Sequence, residues 1–185
     1  MKKLLTLMLA ISLMFIFPSC RNEETITGNE WLLMQESCFD DLEAFANGMD
    51  EVYTLYIIES ITATDFLAEL KLLNQQYKLL VAYYEELKTN NPIEPESHSF
   101  LSKKGTESME NIYSCIGEIL NASLDPNGNP LPQNQLAYRY LAFRQTLSEH
   151  ISGYMTAIQW YKSEAGMYEE DTSVVSRTNE REEEQ

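Results

Sequence analysis

A metal or catalytic centre in this chain would have to be assembled from three cysteines, two histidines and 29 acidic residues. A zinc site needs Cys or His ligands within about 2.0–2.3 Å of one ion, yet Cys20, Cys38 and Cys115 form no short pair, nor do His98 and His150. A di-iron bundle needs Glu-x-x-His on two inward helix faces; three residues before His98 stands Pro95, and before His150 stands Leu147. Covalent haem attachment would require Cys-x-x-Cys-His, which is absent. The run Asp125-Pro126-Asn127-Gly128-Asn129 has the composition of a calcium loop, but its glycine is fourth rather than sixth. Leu136 occupies the twelfth place, where a glutamate is required. Ser, His and Asp occur without a nucleophile elbow around any serine. These patterns predict no catalytic residue, no metal and no cofactor, and so a protein that is not an enzyme.

The elements that would position such groups are helices. Trp31, Gln35, Cys38, Leu42, Phe45, Met49, Val52 and Tyr56 recur at alternating spacings of four and three, which predicts one helix over 30–61. The stripe keeps its phase through Gly48, a soft spot costing about 1 kcal/mol against alanine rather than a break. Thr62 or Thr64 is placed to cap the next helix, predicted over 65–89 from Phe66, Leu70, Leu73, Tyr77, Leu80, Tyr84 and Leu87. Pro92 closes it, because proline cannot continue a helix and disfavours helical Asn91. Met109, Ile112, Ile116, Ile119 and Ser123 predict a third helix over 98–123, weakest upstream of Thr106, where Gly105 and several serines blur the stripe. A Pro- and Asn-rich loop covers 124–132. The fourth helix, 133–168, carries Leu136, Tyr140, Phe143, Leu147, Ile151, Tyr154, Ile158, Tyr161, Ala165 and Tyr168, with one extra four-residue step that brings His150 beside the seam. The predicted architecture is all-α: an antiparallel up-down-up-down four-helix bundle whose first and fourth helices are longest.

Height along that bundle separates the reactive residues. Measured from the 61–65 end at ~1.5 Å per residue, Cys38 lies ~35 Å down, Cys115 ~12 Å and His150 ~26 Å. Met34 at ~40 Å and Met49 at ~18 Å are equally out of level with His150, which removes a Met/His haem pair. Cys38 and Cys115 are too far apart for the ~7 Å Cα separation a disulfide tolerates. His150 is expected to be partly buried and hydrogen-bonded, and the paired acids Asp40-Asp41 and Glu85-Glu86 to be solvated. The eleven tyrosines lie mostly on the stripes and read as core rings.

The first twenty residues are of another kind. Lys2 and Lys3 precede an uncharged apolar run, 4–17, which as a helix would span about 21 Å, short of a ~30 Å hydrocarbon core. That is a signal peptide rather than a membrane anchor. Phe17-Pro18-Ser19-Cys20 resembles the lipobox of bacterial lipoproteins, with a small residue before the cysteine. The resemblance implies removal of residues 1–19, lipidation of Cys20 and attachment to the membrane through that anchor. Arg21-Asn22-Glu23-Glu24 is similar to the surface-export signal of lipoproteins from Bacteroidota-type bacteria, which implies a lipid-anchored protein of the outer membrane, displayed at the surface. Residues 20–29 then form a tether, 30–168 the bundle domain and 169–185 a disordered acidic tail.

Charge narrows the partners. Loss of 1–19 removes Lys2 and Lys3 and no acid, taking the formal charge from −16 to −18. Such an excess repels phosphate backbones, so nucleic acid is excluded as a partner. Two function classes are left: a membrane-tethered interaction protein of the adaptor, assembly or immunity type, and a small-ligand carrier with a Tyr- and Met-rich interior. Trp31, at ~45 Å, and Trp160, at ~40 Å, both lie beyond the end of the second helix. With Tyr161, Tyr168 and Phe100, and with Ile93 and Leu101 of the linker, they are expected to form an aromatic cap or partner surface there.

Overall fold

The computed structural model describes residues 25–97 and 99–166, which fold into four α-helices with no strand among them. These are α1 (Gly28–Ile57), α2 (Ala63–Asn90), α3 (Phe100–Ala122) and α4 (Gln133–Glu164). A 3-10 turn, Pro95–Ser97, lies between α2 and α3. Residues 1–24, with the predicted signal peptide and Cys20, His98, and residues 167–185, with Tyr168 and the tail predicted to be disordered, lie outside the described residues. The fold is the all-α four-helix bundle that the periodicity predicts.

Three of the four helices start on the same local device. Thr27 Oγ1 accepts the Glu30 N–H at 3.3 Å while the Glu30 carboxylate accepts the Thr27 N–H at 2.9 Å. Thr62 and Asp65 repeat the exchange before α2, and Ser99 and Ser102 before α3. Each capping box satisfies two helix-end donors that would otherwise be unpaired. The caps move three predicted boundaries. The first helix begins at Gly28 rather than 30, the second at Ala63 rather than 65, and the third at Phe100 rather than 98. The far ends move as well. α1 stops at Ile57, not 61, in a Schellman closure: Ser60 N–H bonds to Leu55 O and Glu59 N–H to Tyr56 O. α4 stops at Glu164, not 168, because Gly166 takes a left-handed turn at φ 67° and its N–H bonds back to Ser163 O.

Gly48 and Glu59 give a paired prediction. Gly48 sits inside α1, and a Cβ added there would meet nothing within 4 Å. Gly48→Ala should therefore raise stability by about 0.5–1 kcal/mol. Glu59 holds φ 61° at the position glycine normally fills, so Glu59→Gly should add about 1 kcal/mol. Each variant is checked by chemical denaturation; a loss of stability in either contradicts the geometry.

All eight stripe positions of α1, Trp31 to Tyr56, are buried. Contacts at the two ends fix the antiparallel order. At one end Trp31 packs on Tyr161, ring centroids 4.8 Å apart. At the other, Tyr53 stacks on Tyr140 at 4.5 Å and its hydroxyl bonds to Ser123 Oγ at 2.6 Å. α3 and α4 are the most extensively paired helices, and small residues bring them together: a Cβ on Gly153 would lie 3.8 Å from Ser108 Oγ. At the extra step in α4, Leu147 and Ile151 are only half-buried, since a second successive four-residue step rotates the stripe off the core.

Candidate functional site

The end where α1 begins is closed by the linker. Ile26 pairs with Ile93 through the Ile26 N–H to Pro92 O and the Glu94 N–H to Ile26 O, both 2.9 Å. The Gly28 N–H donates to Ser97 Oγ at 3.0 Å, and Ser97 donates to Glu94 Oε1. The Tyr161 hydroxyl lies directly against Gly28, where a Cβ would collide with it. An open cleft of about 460 Å³ remains here, lined by Thr27, Gly28, Asn29, Glu94, Ser97 and Tyr161 among others.

The aromatic residues predicted for this end divide into two groups. Trp31 is 4% exposed and Tyr161 is buried with it, so these two close the core as expected. Trp160, 64% exposed, and Phe100, 70% exposed, take no part in the cap. The reason is phase. Tyr161 takes the inward position on α4, which turns its neighbour Trp160 about 100° away. On α3 the inward stripe runs through Ser102, Gly105 and Met109, leaving Phe100 outside. Tyr168 lies outside the described residues. Ile93 and Leu101 are half-buried against the core and supply the cover instead.

Within the bundle, Gln35 is the one polar residue of the α1 stripe. It is fully buried, and its amide donates to the Tyr84 hydroxyl over 3.4 Å. Tyr84 stacks on Tyr113 and Tyr154 on Phe39, so the tyrosines pack ring against ring, as read from their spacing. Cys38 and Cys115 are free and buried. His150 is half-buried beside the α4 step, and no described residue hydrogen-bonds its ring, contrary to expectation.

Burial pushes the Cys38 thiol up to about 12, the Cys115 thiol to about 11 and the Tyr84 hydroxyl to about 12. It raises Tyr53, Tyr113, Tyr140 and Tyr154 as well. The unfolded chain releases these protons first, near the ordinary values of 9.0 for Cys and 10.0 for Tyr, while the folded chain still holds them. Stability is therefore complete below about pH 9 and falls as pH climbs towards 11–12. Urea midpoints at pH 7 and pH 10.5 should differ clearly, the alkaline one being lower; equal midpoints would contradict the burial of these groups.

The outward side of α4 has a composition unlike the rest of the molecule. α1 carries seven acids and no Lys or Arg. Along the outer side of α4, Tyr138, Leu141, Gln145, Ser148, Ser152, Met155, Thr156 and Gln159 are all exposed, and the one charge among them is Glu149. Tyr138 is 82% exposed and Leu141 70%. The cations of α4 lie on its flanks. Arg139 donates to Ala122 O at 2.9 Å, Arg144 pairs with Asp50 at 3.5 Å, and Lys162 pairs with Glu36 at 2.5 Å. The last two tie the acidic helix to α4 and leave its outer face nearly uncharged. The inward stripe of α4 does not mark this face, because its residues fall between the stripe positions. The signal was there: Tyr138, Leu141 and Met155 fall off the stripe among Gln, Ser and Thr.

No protein-family model matches the chain, and no curated protein or solved structure matches it either.

Proposed function

We propose that this chain is a membrane-tethered helical interaction protein, of the adaptor, assembly or immunity type, acting by binding rather than by catalysis. In this reading Cys20 carries the lipid, residues 1–19 are removed, and the bundle is displayed on the outer membrane. The observation that carries the binding role is the outer face of α4. Depletion of charge with retention of aromatic and long apolar side chains is the compositional mark of an interface centre. Here it occurs on a chain of formal charge −16. Exposed Tyr138 and Leu141, one turn apart, with Met155 about 21 Å further along the same helix, are costly to leave in water and gain by being covered. The carrier reading has no comparable support, since the tyrosine-rich interior is filled by rings packed on one another.

The test is capture of a partner from the native envelope by the wild type and by Leu141→Asp. Leu141 is exposed, so the substitution should leave the melting temperature within a degree or two while abolishing capture. Undiminished capture by Leu141→Asp together with Tyr138→Asp would remove α4 as the binding face.

A further inference from the structure

The exposed rings at the α1 start lie apart from the middle of the α4 face, and the chain's own connectivity says what they meet. Gly28 is eight residues from Cys20, a reach of at most about 28 Å even fully extended. Trp160 is the chain neighbour of Tyr161, whose hydroxyl lies on Gly28. Phe100 is three residues from Ser97, whose Oγ accepts the Gly28 N–H. Both exposed rings are therefore held close to the point where the tether joins the bundle. Both also face outward on the adjoining helices α3 and α4, Trp160 on the flank of α4 nearer α3. The Lys104 ammonium sits 5.9 Å from the centre of the Phe100 ring. Two exposed rings at one end, one of them with a lysine stem alongside whose ammonium also meets Glu107 at 2.6 Å, are side chains of the kind that settle at a lipid headgroup layer, apolar body inward and polar tip outward.

We propose that Phe100, with Lys104 beside it, and Trp160 form a foot that rests on the headgroup layer of the bilayer holding Cys20. The inference rests on the reading that Cys20 is acylated. The foot stands the bundle upright, and Tyr138, 22 residues from Trp160 along α4, is raised about 33 Å along the bundle axis. Glu94 and Glu164 at the same end favour a zwitterionic, phosphatidylethanolamine-rich surface over an anionic one. Two rings bind a membrane weakly on their own. A short tether supplies a millimolar effective concentration, so a contact of only millimolar strength is substantially occupied.

The experiment uses the acylated full chain in vesicles of phosphatidylethanolamine and phosphatidylcholine, with and without brominated acyl chains. Wild type is compared with Trp160→Phe. Trp31 is buried and common to both, so the difference in emission is that of Trp160. The foot predicts that brominated lipid quenches the Trp160 signal at least about twofold. It also predicts that acrylamide quenches that signal several-fold less than in the unacylated chain in solution. A Trp160 signal untouched by brominated lipid and fully open to acrylamide, on protein whose mass shows acylated Cys20, overturns the foot and leaves the anchor standing. A mass showing Cys20 unmodified in the native protein overturns the anchor and the foot with it.

Discussion

Tyr53→Ala is expected to lower the stability of the bundle by about 3–5 kcal/mol, a fall of roughly 6–20 °C in melting temperature for a chain of this size. Tyr53 joins three helices at the 61–65 end. Its ring is fully buried, stacked on Tyr140 at 4.5 Å and edge-on to Phe66 at 5.3 Å. Its hydroxyl reaches Ser123 Oγ at 2.6 Å, and Ser123 itself bonds to Ile119 O at 2.6 Å. Truncation removes the ring, opens a cavity among side chains already in contact, and strips one partner from Ser123. Tyr53→Phe separates the terms. It keeps the ring and loses the hydroxyl's short bond to Ser123 and its long 3.4 Å one to Ile119 O, while Ser123 retains Ile119, so its cost should be about 1 kcal/mol. A loss below about 1 kcal/mol for the alanine variant would mean that α1 does not meet α2, α3 and α4 at this level.

The second large effect concerns the anchor. Growth with an alkyne analogue of palmitate should label the wild-type protein, and Cys20→Ala should remove the label entirely. The variant should also keep residues 1–19, because in the lipoprotein reading modification of the cysteine licenses the cut before it. Other thiols cannot take the label by default: Cys38 and Cys115 are buried and free, their thiolates suppressed by burial. Label that persists in Cys20→Ala, or wild-type protein without label, would refute the anchor.

The helices were legible because their apolar residues are large. From Trp31 to Tyr56 every member of the α1 stripe can be read and every member is buried. The α3 stripe faded upstream of Thr106 for the opposite reason. Its inward residues there are Ser102 and Gly105, small because the Trp31 ring fills the space: a Cβ on Gly105 would lie 3.0 Å from Trp31 Cη2. A small residue opposite a large one is a packing signal that periodicity of apolar residues does not register. The helix ends were displaced for a related reason. Gly166 closes α4 although the stripe keeps phase past it as far as Tyr168, while Thr27 and Ser99 are polar cap residues ahead of their stripes, which apolar periodicity does not mark. Site residues were half legible. The level shared by Trp31 and Tyr161 follows from counting residues. Which of Trp160 and Tyr161 faces inward depends on the rotation of α4 after its extra step, and counting does not fix that.

In the native envelope the outer face of α4 is expected to be covered by a partner. A photoreactive amino acid placed at position 141 in living cells, with position 43 on the exposed acidic side of α1 as the comparison, measures that cover in place. The account predicts a discrete crosslinked species from position 141, reproduced from 138 and 155, and only background from 43. Adducts equally strong from 43 and 141, or none from 138, 141 and 155, would contradict it.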